Sequence, residues 1–120
     1  MAIDNKLDIY DLKQTSRDYN GCLLDLAEDL GLRLSQAFHT KTGIPYGTVN
    51  LRYGVPKGES EVASAAGAGS LLLEFEVLST LTRNATFGRL AFNALNNLYN
   101  YRSNIGLLGK HIHIKKGDLY

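Results

Sequence analysis

The first regular pattern of apolar residues begins at Tyr19 and has the period of a helix. Apolar side chains recur at i, i+3, i+4 and i+7, while charged side chains take the other side. The apolar positions are Leu23, Leu26, Ala27, Leu30, Leu34, Ala37 and Phe38. This spacing predicts an amphipathic helix of about five turns, with Thr15 or Ser16 as its N-cap. Gly31 weakens that helix by about 1 kcal/mol relative to alanine.

Two further helical stretches follow, joined by a short link. The first is predicted from about Val62 to Leu81 and opens with a run of small residues. The second is predicted from about Thr86 to Arg102 and carries its own apolar stripe. That stripe is Phe87, Leu90, Ala91, Ala94, Leu95, Leu98 and Tyr99. Because the link spans only residues 82–85, the two helices should lie antiparallel as an αα-hairpin.

The remaining segments lack a helical period. Glycines and prolines between residues 39 and 60 exclude a helix there, although the alternation at 48–53 suits a short strand or extended segment. A connector of this length is often functional. Residues 106–120 are predicted to form a β-hairpin, because residues 111–114 alternate polar and apolar side chains and Lys116-Gly117 is a plausible turn. Residues 1–18 are expected to form a leader or surface loop ahead of the folded part, residues 19–120.

Composition narrows the class of protein. With 120 residues there is room for one domain, and a net charge of +1 gives no electrostatic case for nucleic acid or an acidic membrane surface. The longest apolar run, Leu71–Leu73, is far shorter than the ~20 residues of a membrane span. The first residues lack the pattern of a secretory signal. Cys22 is the single cysteine, which excludes an intrachain disulfide, and its place beside the first stripe predicts a small core residue.

Glu74 is the most informative single residue. Its helical neighbours at −3, +3 and +4 are Leu71, Val77 and Leu78, so its carboxylate projects from an apolar stripe, whereas Glu76 points elsewhere and can reach solvent. A buried carboxylate is costly unless something binds it. Two structural alternatives remain open, namely that Glu74 pairs with a basic residue of an adjacent helix or that the stripe is exposed at this point.

Three other features are weaker. His111 and His113 share one side of the predicted strand and form a possible metal pair, although a solvated strand face is the simpler interpretation. Asn84-Ala85-Thr86 is a glycosylation sequon at the helix–helix link. The glycines of Gly67-Ala68-Gly69 lie inside a predicted helix and lack the pattern of a phosphate loop.

Four stretches of the chain, read in order, carry a family resemblance. They are residues 42–51 (TGIPYGTVNL), 66–75 (AGAGSLLLEF), 78–82 (LSTLT), and 102–109 (RSNIGLLG) followed by His111-Ile112. Together they closely resemble the class I α-1,2-mannosidases, glycoside hydrolase family 47, and within it the ER degradation-enhancing α-mannosidase-like branch. The resemblance covers about residues 19–118. Two local departures are Ser64, where relatives often have Cys, and Leu119, where Trp is common.

The resemblance implies a fold and a function. The expected fold is mainly α, a portion of an (α/α) toroid or barrel of helical hairpins, with a Gly/Pro-rich loop and a short β-hairpin. The implied function is trimming or recognition of mannose-rich N-glycans on misfolded glycoproteins in the endoplasmic reticulum, by an inverting glycosidase that binds calcium. Glu74 matches an acidic residue that the family places at the mannose pocket. Because the toroid needs several times 120 residues, this chain is expected to be part of a domain.

The resemblance also shows which motifs this chain lacks. An inverting glycosidase needs an acid and a base on either side of a water, and the family's motifs for both, and for its calcium ligand, do not occur between Met1 and Tyr120. The chain alone is therefore expected to be inactive, with no catalytic residue and no metal ligand of its own. Two alternatives stay open: a non-catalytic glycan- or client-binding module of the same family, and a small helical interaction protein of the cytosol.

Overall fold

The computed structural model describes residues 20–120, so the predicted leader lies outside the described residues. In this part the chain is mainly helical and includes one small two-stranded sheet. Its elements, in chain order, are α1 (Cys22–Leu34), a 3-10 helix (Ser35–Phe38), β1 (Val62–Ser64), α2 (Ala65–Thr82), α3 (Thr86–Asn100) and β2 (His111–His113). None of the helices described is both long enough and apolar enough to cross a membrane.

Helix α1 begins later than the sequence predicts. Its N-cap is Gly21, whose φ of 88° is left-handed and breaks the helix on its N-terminal side. Asn20 Oδ1 accepts a hydrogen bond from the backbone N–H of Cys22 at 3.1 Å and so satisfies one free donor of the first turn. The predicted caps Thr15 and Ser16 lie outside the described residues, and the N-cap of α1 is Gly21. After Leu34 the chain tightens into the 3-10 helix that ends at Phe38.

The apolar stripe of α1 is buried only at its C-terminal end. Phe38 is buried, but Leu23 and Leu26 are 66% and 65% exposed. The prediction that Cys22 is a small core residue is also wrong, because Cys22 is exposed. The periodicity shows correctly which face of α1 is apolar. The described elements cover that face only where α1 meets α2 and α3.

Gly31 marks the point of closest approach between α1 and the hairpin. A β-carbon at Gly31 would lie 2.6 Å from Leu78 Cδ2 and 3.0 Å from Phe87 Cε1. These separations are shorter than van der Waals contact, so a larger side chain would push these neighbours away. Glycine lowers the intrinsic stability of α1, but its lack of a side chain permits tight packing of α1 against α2 and α3.

Three aromatic rings form the centre of the helical core. The centroids of Phe38 and Phe75 are 5.4 Å apart, and those of Phe75 and Phe87 are 5.8 Å apart in an edge-to-face arrangement. Ala91 and Ala94 of α3 are buried in the same cluster. Because the rings come from the 3-10 helix, α2 and α3, this cluster holds all three together.

The αα-hairpin of α2 and α3 is confirmed. Its link is residues 83–85, and Ser79 Oγ ties it to both helices by donating to the Asn84 carbonyl at 2.6 Å and accepting from the Gly88 N–H at 2.9 Å. Helix α2 starts at Ala65 rather than Val62. Ser64 is its N-cap, and the Ser64 hydroxyl oxygen accepts a hydrogen bond from the Gly67 N–H.

The tail forms a hairpin and also joins a strand that the sequence did not reveal. Strand β2 pairs antiparallel with β1, with Ala63 opposite Ile112. Beyond the turn at Gly117, residue 119 bridges back to Ile112, and His111 and Tyr120 exchange two backbone hydrogen bonds. The predicted tail hairpin is thus present as a short pairing. A second core cluster lies beneath it, formed by Ile44, Ala63, Ala65, Ala68, Leu98, Ile112 and Ile114.

The Gly/Pro-rich connector is confirmed as a segment without a helix, but the strand expected at 48–53 is wrong. Asn50 and Gly54 form an isolated bridge with bonds of 2.9 and 2.8 Å, and Asn50 Oδ1 accepts from the N–H groups of residues 52 and 53. The segment is a tight turn because Gly54 adopts a left-handed φ of 79°. Buried Thr42 holds the connector in place through two hydrogen bonds. Its hydroxyl donates to the Ile114 carbonyl, and its backbone carbonyl accepts from Asn97 Nδ2.

An ionic group joins the start of β1 to the end of β2. The Glu61 carboxylate lies beside Lys115 Nζ and 3.4 Å from His113 Nε2. The hydrogen bond from Lys115 lowers the pKa of Glu61 below its ordinary 4.5, with smaller contributions from the nearby charges of Lys115, His113 and Lys116. The same bond raises the pKa of Lys115. The Glu61–Lys115 ion pair lies on the surface and links the tail to β1, the strand that precedes α2.

We expect Phe87→Ala to destabilise the chain by about 3–5 kcal/mol, because Phe87 is fully buried between helices and its removal leaves a cavity. Phe92→Ala is the matched control, since Phe92 is on the same helix but 63% exposed, and should change the free energy of unfolding by less than about 0.5 kcal/mol. Urea unfolding measures both. Equal stability of the two variants would contradict the position of Phe87 in the core.

We expect Lys115→Met to raise the pKa of Glu61 toward 4.5, because the hydrogen bond that lowers it is lost. A lowered carboxyl pKa stabilises the fold above the unfolded pKa, and this contribution disappears as pH falls through the folded value. The wild-type melting temperature should therefore fall more than that of Lys115→Met between about pH 6 and about pH 3. NMR titration of the Glu61 carboxyl carbon tests this, with Lys110→Met as control. An unchanged Glu61 pKa in Lys115→Met would refute the pairing.

Candidate functional site

A groove of about 760 Å³ lies between α1 and α2, and we call it the α1–α2 groove. Its walls are almost wholly apolar. One wall is the exposed stripe of α1, and the other is the outer face of α2, where Leu73 and Val77 are 73% and 55% exposed. The described residues of the lining are Leu23, Leu24, Ala27, Leu30, Gly31, Leu34, Leu71, Leu73, Glu74, Phe75, Val77, Leu78 and Leu81.

Among the described residues that line the α1–α2 groove, Glu74 alone is ionisable. Its side chain is exposed and forms no hydrogen bond or ion pair within residues 20–120. The alternative that the stripe is exposed at this point is confirmed, because Val77 beside Glu74 is itself exposed. The described elements offer Glu74 no basic partner. Its carboxylate oxygens are thus available as hydrogen-bond acceptors at the edge of an apolar surface.

The composition of the groove determines its chemistry. A lone carboxylate can accept hydrogen bonds from hydroxyl or amide groups of a ligand, and the apolar walls can bury its C–H surfaces. General acid and base catalysis by a pair of carboxylates needs a second such group across the groove. The described residues of the lining supply one carboxylate, Glu74. That carboxylate and the apolar walls together can bind a ligand.

Glu76 lies on the other side of α2, as the sequence predicts. It is exposed and lines a separate cleft of about 680 Å³ near the α2–α3 link, together with Thr80, Arg83 and Arg89. Its carboxylate lies so close to Gly88 that a β-carbon there would overlap it. Glu74 and Glu76, two residues apart, thus belong to different surfaces.

The remaining candidates lie away from the groove. His113 uses both ring nitrogens, since Nδ1 accepts the Lys115 N–H at 3.3 Å and Nε2 faces Glu61. His111 is half-buried on the same strand. Across residues 20–120, no three His, Cys, Asp or Glu side chains are grouped so as to hold a metal ion. Asn84 lies in the α2–α3 link and shares no cavity with Glu74.

The sequence predicts one wall of the groove but not the other. Helical spacing places Glu74 on an apolar stripe of α2. The α1 residues opposite, such as Leu23 and Leu30, form an equally clear apolar stripe, and that stripe is the signal in the sequence for the second wall. Spacing within one helix does not show that the two stripes face each other.

Comparison with known proteins places the chain in a family. Residues 7–120 match the family model for glycosyl hydrolase family 47. Over 100 residues the chain is 52% identical to alpha-mannosidase I MNS4 of Arabidopsis thaliana, which covers 83% of this chain and 16% of that protein. It is 47% identical over 98 residues to ER degradation-enhancing alpha-mannosidase-like protein 2 of Homo sapiens, covering 82% of this chain and 17% of that protein.

A solved structure supports the same assignment. The chain superposes on the alpha-1,2-mannosidase from Trichoderma reesei with a TM-score of 0.72 and 31% identity, covering 82% of this chain and 21% of that structure. That enzyme has an (α/α) barrel fold, so the expected portion of such a barrel is confirmed. The chain spans about one sixth of the length of the curated relatives named above. On the evidence of the family match and the superposition, this chain belongs to glycosyl hydrolase family 47.

Proposed function

We propose that the chain is part of an α-1,2-mannosidase-like protein that trims or recognises mannose-rich N-glycans in glycoprotein quality control in the endoplasmic reticulum. The family match supports the substrate class, and the names of relatives such as ER degradation-enhancing alpha-mannosidase-like protein 2 support the pathway and compartment. The observation that carries the proposal is the Glu74 carboxylate, exposed and without a partner in the described residues, in an otherwise apolar groove.

A pyranose ring matches the chemistry of this groove. Its hydroxyls are hydrogen-bond donors, and a carboxylate is acceptor-only when ionised, so Glu74 can bind two neighbouring hydroxyls. Hydrogen bonds to a charged acceptor are stronger than those between neutral groups. The exposed side chains of Leu73 and Val77 on α2 supply an apolar surface for the ring's C–H groups. Glu74 thus orients a sugar and transfers no proton to the glycosidic oxygen.

Hydrolysis requires groups beyond those in the groove. Inversion needs two carboxyl groups about 6.5–9.5 Å apart with a water between them, and residues 20–120 supply Glu74 alone to the groove lining. Calcium, which the family resemblance implies, takes six to eight oxygen ligands. The described residues contain no cluster of acidic side chains that fits such a site.

The same observation favours a second candidate function. A groove with one carboxylate and apolar walls can bind a glycan, or an apolar segment of a misfolded client, without cleaving anything. This would be a non-catalytic glycan- or client-binding module of the same family. The two candidates share Glu74 as a ligand-binding residue, and they differ in whether mannose is released.

We expect the isolated chain to bind an α-1,2-linked mannose oligosaccharide, and Glu74→Ala to weaken this binding at least about tenfold. A hydrogen bond to a charged group contributes about 1.5–3 kcal/mol, which corresponds to that factor or more. Calorimetric titration measures the affinity. Glu76→Ala is the matched control, since it removes the same charge from the other side of α2 and should leave affinity unchanged.

Two results would count against Glu74 as a glycan ligand. One is wild-type affinity in Glu74→Ala, which would place the ligand elsewhere on the chain. The other is an equal loss in Glu74→Ala and Glu76→Ala, which would show a general effect of charge rather than a contact.

We expect the purified 120-residue chain to release no mannose from an α-1,2-mannobioside, because the described part of the chain places one carboxylate in the groove where two are needed. Mannose release is followed by a coupled assay over a long incubation, with a complete family-47 mannosidase as positive control. Mannose released by the chain, and abolished by Glu74→Gln, would show that the chain holds a full catalytic centre.

A further inference from the structure

The link between α2 and α3 contains a motif that the proposed function does not use. Asn84-Ala85-Thr86 is the only Asn-X-Ser/Thr triplet with X other than proline in the 120-residue chain. Such a triplet is the acceptor for N-linked glycosylation and is used where it lies on a surface loop. A triplet of this kind arises by chance in many sequences, so the geometry of Asn84 has to decide its role.

Three of the four polar groups of Asn84 are engaged in holding the link. Its N–H donates to Thr82 Oγ1 at 3.3 Å, and its carbonyl accepts from Ser79 Oγ at 2.6 Å. Its side-chain oxygen Oδ1 accepts the N–H of Thr86 at 3.1 Å and so satisfies a free donor in the first turn of α3. The fourth group is the amide nitrogen Nδ2, which donates to no group in the described residues.

The free Nδ2 of Asn84 is accessible to solvent. No buried side-chain nitrogen or oxygen in the described part of the chain lacks a hydrogen-bond partner, so a side-chain atom without a partner must reach the surface. Asn84 is half-buried, and residues 83 and 85 on either side of it are exposed. Asn97 shows the opposite case, since its Nδ2 donates to the Thr42 carbonyl at 2.7 Å.

We propose that Asn84 is an N-glycosylation site. The proposal rests on the proposed function only in requiring that the chain enter the endoplasmic reticulum. There an oligosaccharyltransferase acts on a lipid-diphosphate-linked oligosaccharide, and a bond forms between Asn84 Nδ2 and the anomeric carbon of the sugar. The bond from that carbon to the diphosphate oxygen breaks, the lipid diphosphate leaves, and Nδ2 gives up one proton to a base of the transferase.

The geometry of the link allows the modified chain to keep its fold. The new bond uses only Nδ2, so Oδ1 still accepts the Thr86 N–H and the first turn of α3 stays capped. Asn84 does not line the α1–α2 groove, so a glycan on the link leaves Glu74 accessible. The chain would then carry one N-glycan at the end of the hairpin and bind another in its groove.

The test expresses the full chain behind a cleavable ER signal in eukaryotic cells. Peptide N-glycosidase treatment in heavy-oxygen water converts a glycosylated asparagine to a labelled aspartate, and trypsin then releases residues 84–89 as one peptide. We expect the label at Asn84 in the wild type and in Thr86→Ser, which keeps the triplet. We expect none in Thr86→Ala or in Asn84→Asp, which retains the Oδ1 acceptor and so folds normally.

Wild-type chain that has lost its signal but carries no glycan at Asn84 would overturn the proposal. Persistence of the glycan in Thr86→Ala would place the modification outside the triplet and overturn it equally. Circular dichroism of Asn84→Asp shows that loss of the glycan is not loss of the fold. The mannoside titration uses unglycosylated chain produced in bacteria. Failure of mannoside binding therefore counts against the proposed function alone, and absence of a glycan at Asn84 counts against the modification alone.

Discussion

The contact on which the rest of the structure depends is the cluster of three phenylalanine rings between the helices. Phe38 stands just after α1, Phe75 on α2 and Phe87 on α3, and each ring contacts the next at under 6 Å between centroids. This ring cluster holds only the C-terminal end of α1 against the hairpin, where Gly31 leaves room for Leu78 of α2 and Phe87 of α3. The N-terminal turns of α1 extend beyond it, and the α1–α2 groove is the consequence.

The second core cluster determines where the connector and the tail lie. Ile112 and Ile44 are both fully buried there, although they are far apart in sequence. Thr42 links the connector to the tail and to α3 through two buried or half-buried hydrogen bonds. The long Gly/Pro-rich connector is therefore held at its start by polar contacts, while its middle is a local turn at Asn50. Neither cluster closes the groove, so Glu74 remains exposed.

Local patterns predicted the αα-hairpin, because a short link between two helical stretches requires the helices to lie antiparallel. The family resemblance predicted the barrel. Contacts distant in sequence were missed: the pairing of β1 with β2 and the exposure of the α1 stripe with Cys22 at its start. Periodicity reveals which face is apolar but not what covers it. For the site, spacing identified Glu74 on an apolar stripe. Spacing does not predict that Glu74 is exposed or that the apolar stripe of α1 faces it, because both depend on how α1 packs against α2.

The groove beside Glu74 is open, whereas the two core clusters are closed. Relaxation of methyl signals by a soluble paramagnetic agent, in dilute methyl-labelled chain, measures this directly. The methyls of Leu23 and Val77, which line the groove, should relax strongly, and those of Ile44 and Ile112 should be protected, as their exposures require. Protection of Leu23 and Val77 equal to that of Ile112 would show that the groove is covered and would contradict its role as an open site.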